Sequence, residues 1–361
     1  MNVDAQDNNG NATASLPNSR RRYILTTLLK GVSRAFYLTI RVLPAGMREP
    51  VAVAYVLARA ADTIADTPTL SHAQRLAHLR EFRKIMQGQA STAELSDSLA
   101  GIQPTDGERE LLQALPEVLS LLDALAADDA QLVRSVVLTL TRGMCLDLTT
   151  FSRIDDDTPV ALKSTAQLDE YCYLVAGCVG EFFTDTAVAY TPALAHWDAH
   201  EMRTLGVCFG KALQMTNILR DMPRDLRNGR CYIPKSALAH TGLTPVELLD
   251  PAHGLSARPA LVWGIHTTLN HFDAAERYII AIPRRNLRLR LAALWPVLIG
   301  LQTLAALAEC DNWLNPQTRV KVSRRAVYGT IALSLLCGRS NGLLRVWFRR
   351  IRARVERKIG T

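Results

Sequence analysis

The sequence predicts an all-α fold. Apolar residues recur at helical spacing almost throughout, and alternating strand patterns bounded by turn signals are scarce. Prolines at 44, 50, 68, 104, 159, 192, 234, 251, 283 and 316 are read as helix starts or connections. With 361 residues and 48% hydrophobic content, the chain can bury a large core, and no linker divides it.

Residues 1–19 are polar and lack the apolar run of a secretion signal, so they are read as a disordered lead-in. The folded domain is expected over 20–337. Within it, Leu291 to Ala308 approaches membrane-spanning length, but Pro296, Gln302 and Thr303 interrupt it, and it is read as a buried helix. Ala326 to Cys337 is twelve residues long, too short to span. Pro223 falls inside a helical pattern, where it predicts a kink or a helix end.

Residues 338–361 form a separate element. Leu344, Trp347, Phe348, Ile351, Val355 and Ile359 fall at helical spacing among arginines, which predicts a basic amphipathic helix. Such a helix can lie on an anionic membrane with its aromatic residues inserted; an ordinary packed terminal helix is the plainer alternative. The net charge is +8, and this stretch carries seven Arg and one Lys against one Glu. The rest of the chain is therefore close to neutral, which argues against nucleic acid as a partner. Seven cysteines, with no CxxC pair, fit a reducing compartment without structural disulfides or zinc. The expected location is cytoplasmic, peripherally attached to the inner face of the membrane.

Two short stretches share one chemistry. Asp62 with Asp66, and Asp221 with Asp225, are carboxylate pairs at spacing i, i+4, with Arg59 three residues before the first and Arg220 adjacent to the second. On a helix, each pair sets like charges side by side at a cost. A lone DxxxD is common on solvated helix faces, but both pairs here lie in apolar, Ala/Leu-rich surroundings where unpaired charge is expensive. A hard divalent cation reverses the penalty. Mg²⁺, with Mn²⁺ as a substitute, takes one or two carboxylates and fills its remaining positions with water and phosphate oxygens, so two facing pairs suit diphosphate.

Five ordered motifs, SRAFYLTIRVLP from Ser33, YVLARAADTIAD from Tyr55, YCYLVAGCVGE from Tyr171, LQMTNILRDMPRD from Leu213 and GRCYIP from Gly229, together resemble the squalene/phytoene synthases. The similarity runs from about Ser33 to Tyr328. The later WPVLIGLQTL and RVKVSRRAVY segments are most similar to squalene synthases. The resemblance implies a single isoprenoid synthase domain, a helical bundle around a central cavity. It also implies head-to-head condensation of two farnesyl diphosphates to presqualene diphosphate, then reduction by NADPH to squalene.

The resemblance further implies site roles. Asp62, Asp66, Asp221 and Asp225, with Asn217, would hold metal; Arg34, Phe36, Arg59, Gln214, Asn217 and Arg220 would meet substrate; Tyr171 would serve the first half-reaction by proton transfer or cation steering. Arg34, Arg59, Arg220 and Lys321 match nucleotide-contacting positions. Tyr55, Phe182 and Phe209 also lie in or near the motifs, with core packing as their ordinary role. Ser323 stands where a second flap base is common, with Arg324 or Arg325 nearby, and Ala65 replaces a common acid within the first motif. Arg290 and Ala292 stand near positions where phenylalanines are frequent, so a differently shaped pocket is expected there. No GxGxxG or dinucleotide-fold pattern supports NADPH independently. The alternatives are a presqualene diphosphate, dehydrosqualene or phytoene synthase lacking the reductive step, and a catalytically dead assembly or scaffold relative.

Overall fold

The computed structural model describes residues 16–33, 36–100, 105–152 and 158–360, without the side chains at 93, 94, 96 and 100. Of the expected lead-in, residues 1–15 lie outside the described residues, as does Arg34; a helix already opens at Asn18 behind Pro17. Among the described residues, nine helices of 13 or more residues form the body. They are α1 (Ala45–Asp66), α2 (His72–Met86), α3 (Ala127–Thr150), α4 (Cys178–Tyr190), α5 (Ala199–Arg227), α6 (Arg258–Ala281), α7 (Leu287–Ala308), α8 (Arg324–Cys337) and α9 (Asn341–Ile359). The described strands, β1 (Val160–Ala161) and β2 (Arg230–Cys231), make a short parallel pair with Val160 opposite Arg230.

Side-chain caps set several helix starts. Ser71 and Gln74 form a reciprocal capping box before α2, and Asp198, Ser323 and Ser340 accept backbone N–H bonds ahead of α5, α8 and α9. The reading of prolines as helix starts or connections fails at Pro50, and this corrects the sequence expectation. Pro50 lies inside α1 and Pro223 inside α5, which continues to Arg227 without ending between Asp221 and Asp225. Pro296 likewise sits within α7. An interior proline removes one helical hydrogen bond and costs ~3 kcal/mol or more. All three helices pack much of their surface into the core, and Pro223 itself is buried on the side of α5 away from the aspartates.

The longest helix, α5, packs against α4, α6 and α7, while α1 packs on α2, α3 and α4. Where α4 and the turn before it meet α5, glycines let two backbones touch. A Cβ on Gly180 would fall 1.8 Å from the Gly206 carbonyl oxygen, and one on Gly210 would fall 2.1 Å from that of Ala176. The chain entering α4 runs from Thr165–Cys172 through a wide π-helical turn, Tyr173–Gly177. Such turns often mark functional sites. At the other end of α5, Gly229 adopts φ +76°, a conformation glycine takes without strain. It ends the helix and turns the chain directly into β2.

Both Thr165–Tyr190 and α7 are long and apolar enough to cross a membrane by length and composition. Yet 78% of the apolar window of α7 is buried within the protein, as expected of a core helix. The terminal helix begins at Asn341, three residues later than expected. Its apolar face turns inward: Leu344, Phe348 and Val355 are buried where α9 packs on α7 and α6. Arg352 pairs with Asp273, and Arg354 pairs with Glu309 at 2.7 Å. This corrects the expectation that the aromatic face of this helix inserts into lipid, because Phe348 is a core residue and Trp347 packs partly buried against the core.

The glycine contact between α4 and α5 yields a test. Gly180→Ala and Gly210→Ala should each lower stability by ~1–3 kcal/mol or more, since overpacking against backbone has no flexible side chain to absorb it. Thermal midpoints measure this, and wild-type values for both would mean that the two helices separate freely.

Candidate functional site

On α1, Asp62 and Asp66 fall one turn apart near the helix end. On α5, Gln214, Asn217, Asp221 and Asp225 follow one another at i, i+3 and i+4 spacing, so one stripe of the helix carries all four. β2 contributes Arg230 and α3 contributes Asp147. A cleft of about 190 Å³ is lined by Asp62, Asp66, Asp147, Tyr171, Gln214 and Arg230, among others. Beside it lies a second cavity of about 200 Å³, whose wall includes Phe36, Leu43, Phe183, Phe209, Ala292 and Pro296. Val175 and Gln214 line both, so an acidic mouth adjoins an apolar chamber.

Arg230 links the two aspartate arms. Its Nη1 lies 2.9 Å from Asp147 Oδ2, and the charge of Asp66 further strengthens its hold on its proton. Asp225, on the other arm, is influenced by Arg230 and Asp147 as well as by Asp221. Burial, then the adjacent Asp221, pushes the Asp225 carboxyl up to about 7. Asp62 is also raised, by burial and then by Asp66, against the pull of its ion pair with Arg59. Arg59 reaches toward Glu108 at 3.6 Å too, and Arg220 holds Asp221 through both carboxylate oxygens, Nε donating at 2.9 Å. Arg224 and Arg230 pull Asp225 the other way, and Arg75 feels the charges of Arg230 and Asp66.

Carboxyls raised in this way fit a hard cation. The donors are carboxylate oxygens, although among the described residues no group of three or more His, Cys, Asp or Glu side chains is placed so that it could hold a metal ion. A Mg²⁺ held by one or two carboxylates, with water and diphosphate oxygens completing its shell, suits such a set. Asn217 lines the apolar chamber rather than the acidic cleft. Lys321 is exposed in the connection before α8 and lines neither cavity. Ala292 faces the chamber, whereas Arg290 is buried elsewhere and donates to Asn341 Oδ1 at 2.5 Å.

Tyr171 stacks on Tyr232 with ring centroids 4.8 Å apart, and its hydroxyl donates to the Tyr232 oxygen at 3.3 Å. Tyr232 in turn donates to Asp147 Oδ1 at 2.6 Å. Burial, and then the nearby Tyr232, raises the Tyr171 phenol well above its usual range, so it stands protonated at neutral pH. Phe36 stacks on Tyr55 at 4.9 Å at the chamber wall, and Phe182 is buried outside it. The motif reading assigned no role to Arg230, Asp147 or Tyr232. Arg230 and Tyr232 stand within GRCYIP, and Asp147 is an acid inside the apolar run VLTLTRGMCLDLTTF; an unpaired charge in such a run is the signal that would have found it.

With this geometry in hand, comparison with known proteins is specific. The family model described as squalene/phytoene synthase matches residues 29–326. The squalene synthase of Eremothecium gossypii is 25% identical over 301 residues, covering 82% of this chain and 64% of that one. This chain thus spans less than two thirds of that relative. The presqualene diphosphate synthase of Zymomonas mobilis is 28% identical over 305 residues, covering 83% of this chain and 88% of that one. A solved complex of TcSQS with the ligand BPH1237 superposes with a TM-score of 0.77 at 23% identity, covering 95% and 97% of the two chains, a likeness of fold.

The raised Asp225 carboxyl sets a pH dependence. The folded-state value for Asp225 lies above its ordinary 3.8, so its contribution to stability is present below pH 3.8 and is lost as pH rises through about 7. In metal-stripped protein, wild type should therefore lose more thermal stability than Asp225→Asn between pH 5 and about 7. Added Mg²⁺ at neutral pH should raise the wild-type midpoint more than that of the variant. Identical slopes and identical Mg²⁺ responses would remove Asp225 from any cation site.

Proposed function

Since this chain belongs to the squalene/phytoene synthase family, we propose that it is a prenyltransferase of the squalene synthase type. In this reading it joins two farnesyl diphosphates into presqualene diphosphate and reduces that product to squalene with NADPH. The observation that carries the reading is the acidic cleft sharing Val175 and Gln214 with an apolar chamber. A substrate with a diphosphate head and a hydrocarbon tail matches both halves.

Asp62, Asp66, Asp221 and Asp225 are the groups that would hold Mg²⁺ or Mn²⁺, with Asn217 oriented from the same stripe of α5. When bound, the metal supplies charge neutralisation that turns diphosphate into a leaving group. Arg59, Arg220 and Arg230 add fixed positive charge near the departing oxygens. The chamber wall excludes water from the allylic cation, and the faces of Phe36 and Phe209 favour positive charge without attacking it. Tyr171, protonated beside the cleft, can hold a proton at its hydroxyl, with Tyr232 and Asp147 fixing that oxygen. Contact with an anionic membrane from the cytoplasmic side belongs to the same reading, because a hydrocarbon product needs an apolar destination.

The reductive half rests on the resemblance. Arg59 and Arg220 are already paired with Asp62 and Asp221, Lys321 lines neither cavity, and Arg34 is outside the described residues. Arg59, Arg220 and Lys321 do not form a nucleotide site by themselves. A second reading, release of presqualene diphosphate as the final product, is favoured by the 88% coverage of the Zymomonas enzyme.

Incubation with farnesyl diphosphate, Mg²⁺ and NADPH distinguishes these readings. Squalene supports the first and presqualene diphosphate alone supports the second; absence of Mg²⁺-dependent diphosphate release would sink both. Asp62→Asn and Asp221→Asn should each reduce turnover by ~100-fold or more with the fold intact, since each removes charge that acts on the departing diphosphate. Near-normal turnover in either variant would move the site elsewhere.

A further inference from the structure

The polarity of α8 is inverted. Its inward side carries Thr330 and Ser334, both buried and both hydrogen-bonded to α7: Gln302 Nε2 donates to Thr330 Oγ1, and Trp295 Nε1 donates to Ser334 Oγ, each at 2.8 Å. Its outward side carries Tyr328, Leu333, Leu335 and Leu336, the last two 53% and 80% exposed. A helix on the surface of a water-soluble body places its apolar side inward. Here hydroxyls face the protein and leucines face away from it. The exposed apolar strip continues onto α9 as Leu343 and Val346, with Arg350 next in the same line.

The charge around this strip has one sign. Between Asp311 and Glu356 the sequence has no acidic residue and ten basic ones. Arg324, Arg325, Arg339 and Arg350 flank the leucines, are exposed, and have no ion-pair partner among the described residues. Leucines rimmed by unpaired arginines match the boundary between acyl chains and anionic headgroups. The same charge would repel a second copy of the face. At 14 residues, α8 is too short to span a bilayer.

We propose that α8 and the first turns of α9 dock this protein onto an anionic lipid bilayer, with Leu333, Leu335, Leu336 and Leu343 at the acyl boundary and the flanking arginines at lipid phosphates. α8 lies in the interface plane. Beneath it, α7 supplies Ala292, Ala293 and Pro296 to the wall of the apolar chamber while Trp295 and Gln302 hold α8. Docking thus sets the chamber one helix thickness, about 10 Å, from the lipid. The surface proposal stands on exposure and charge and is independent of which reaction the chamber supports.

Flotation of the full chain with vesicles tests it. Wild type should float with phosphatidylglycerol-rich vesicles and remain unbound with phosphatidylcholine alone. The L335E/L336E variant should bind at least ~10-fold more weakly, with an unchanged thermal midpoint because both side chains point outward. R339E/R350E should lose the phosphatidylglycerol preference and gives a second test that leaves the leucines in place. Leu255→Glu, at an 85% exposed leucine elsewhere on the surface, should bind like wild type. Three outcomes overturn the proposal: wild type that fails to float, L335E/L336E that floats normally, or a wild-type dimer in sedimentation that L335E/L336E converts to monomer, which would make the face an interface between copies.

Discussion

Arg230 is the charge at which the acidic cleft meets the field of Asp225, which with Asp221 lines neither that cleft nor the apolar chamber. It pairs with Asp147 at 2.9 Å, and its field reaches Asp66 on one arm and Asp225 on the other. Arg59 and Arg220 are paired with Asp62 and Asp221, while Arg224 acts on Asp225 and Arg75 feels Asp66. Burial, and then the neighbouring carboxylate, raises Asp62 and Asp225. A bound cation would favour the ionised form of such raised carboxyls, and a metal-bound anionic ligand would supply one.

The rest of the fold maintains the separation between this mouth and the dry chamber behind it. Helix α5 borders both: Gln214 lines the cleft and the chamber, Asn217 lines the chamber, and Asp221 and Asp225 lie one and two turns further along the same stripe. That stripe stays straight in sequence register because α5 continues through Pro223. The glycine contacts at 180, 206 and 210 bring α4 against α5 closely enough for Val175 and Gln214 to border both spaces. Gly229 and the β1–β2 pair then return the chain so that Arg230 meets Asp147 from α3. The tiny sheet matters as the device that aims one arginine.

The two C-terminal helices divide their roles contrary to their sequences. α9 looks like a membrane helix on its own, yet its apolar stripe is consumed by α7 and α6. α8 is an apolar run too short to span a bilayer, yet its leucines face outward and its hydroxyls are hydrogen-bonded to α7. Helical periodicity gives the faces of a helix; it does not say what each face meets.

The residues by themselves determined the helical class, the pairing of Asp62 with Asp66 and of Asp221 with Asp225, and the family resemblance, because all three depend on spacing within a few residues or on ordered local motifs. The buried character of α7 was legible for the same reason, as its apolar run is interrupted by polar residues. Tertiary structure decided the rest. Arg230 and Asp147 are 83 positions apart in the chain, and nothing local pairs them; the meeting of α3 with β2 does. Continuation of α1 and α5 through Pro50 and Pro223 was likewise decided by packing, which offsets one lost hydrogen bond in a helix that buries much of its surface. Which amphipathic face becomes core and which stays exposed depends on neighbouring helices, so the inward turn of Phe348 and the outward turn of Leu336 appear only once α7 lies beneath both.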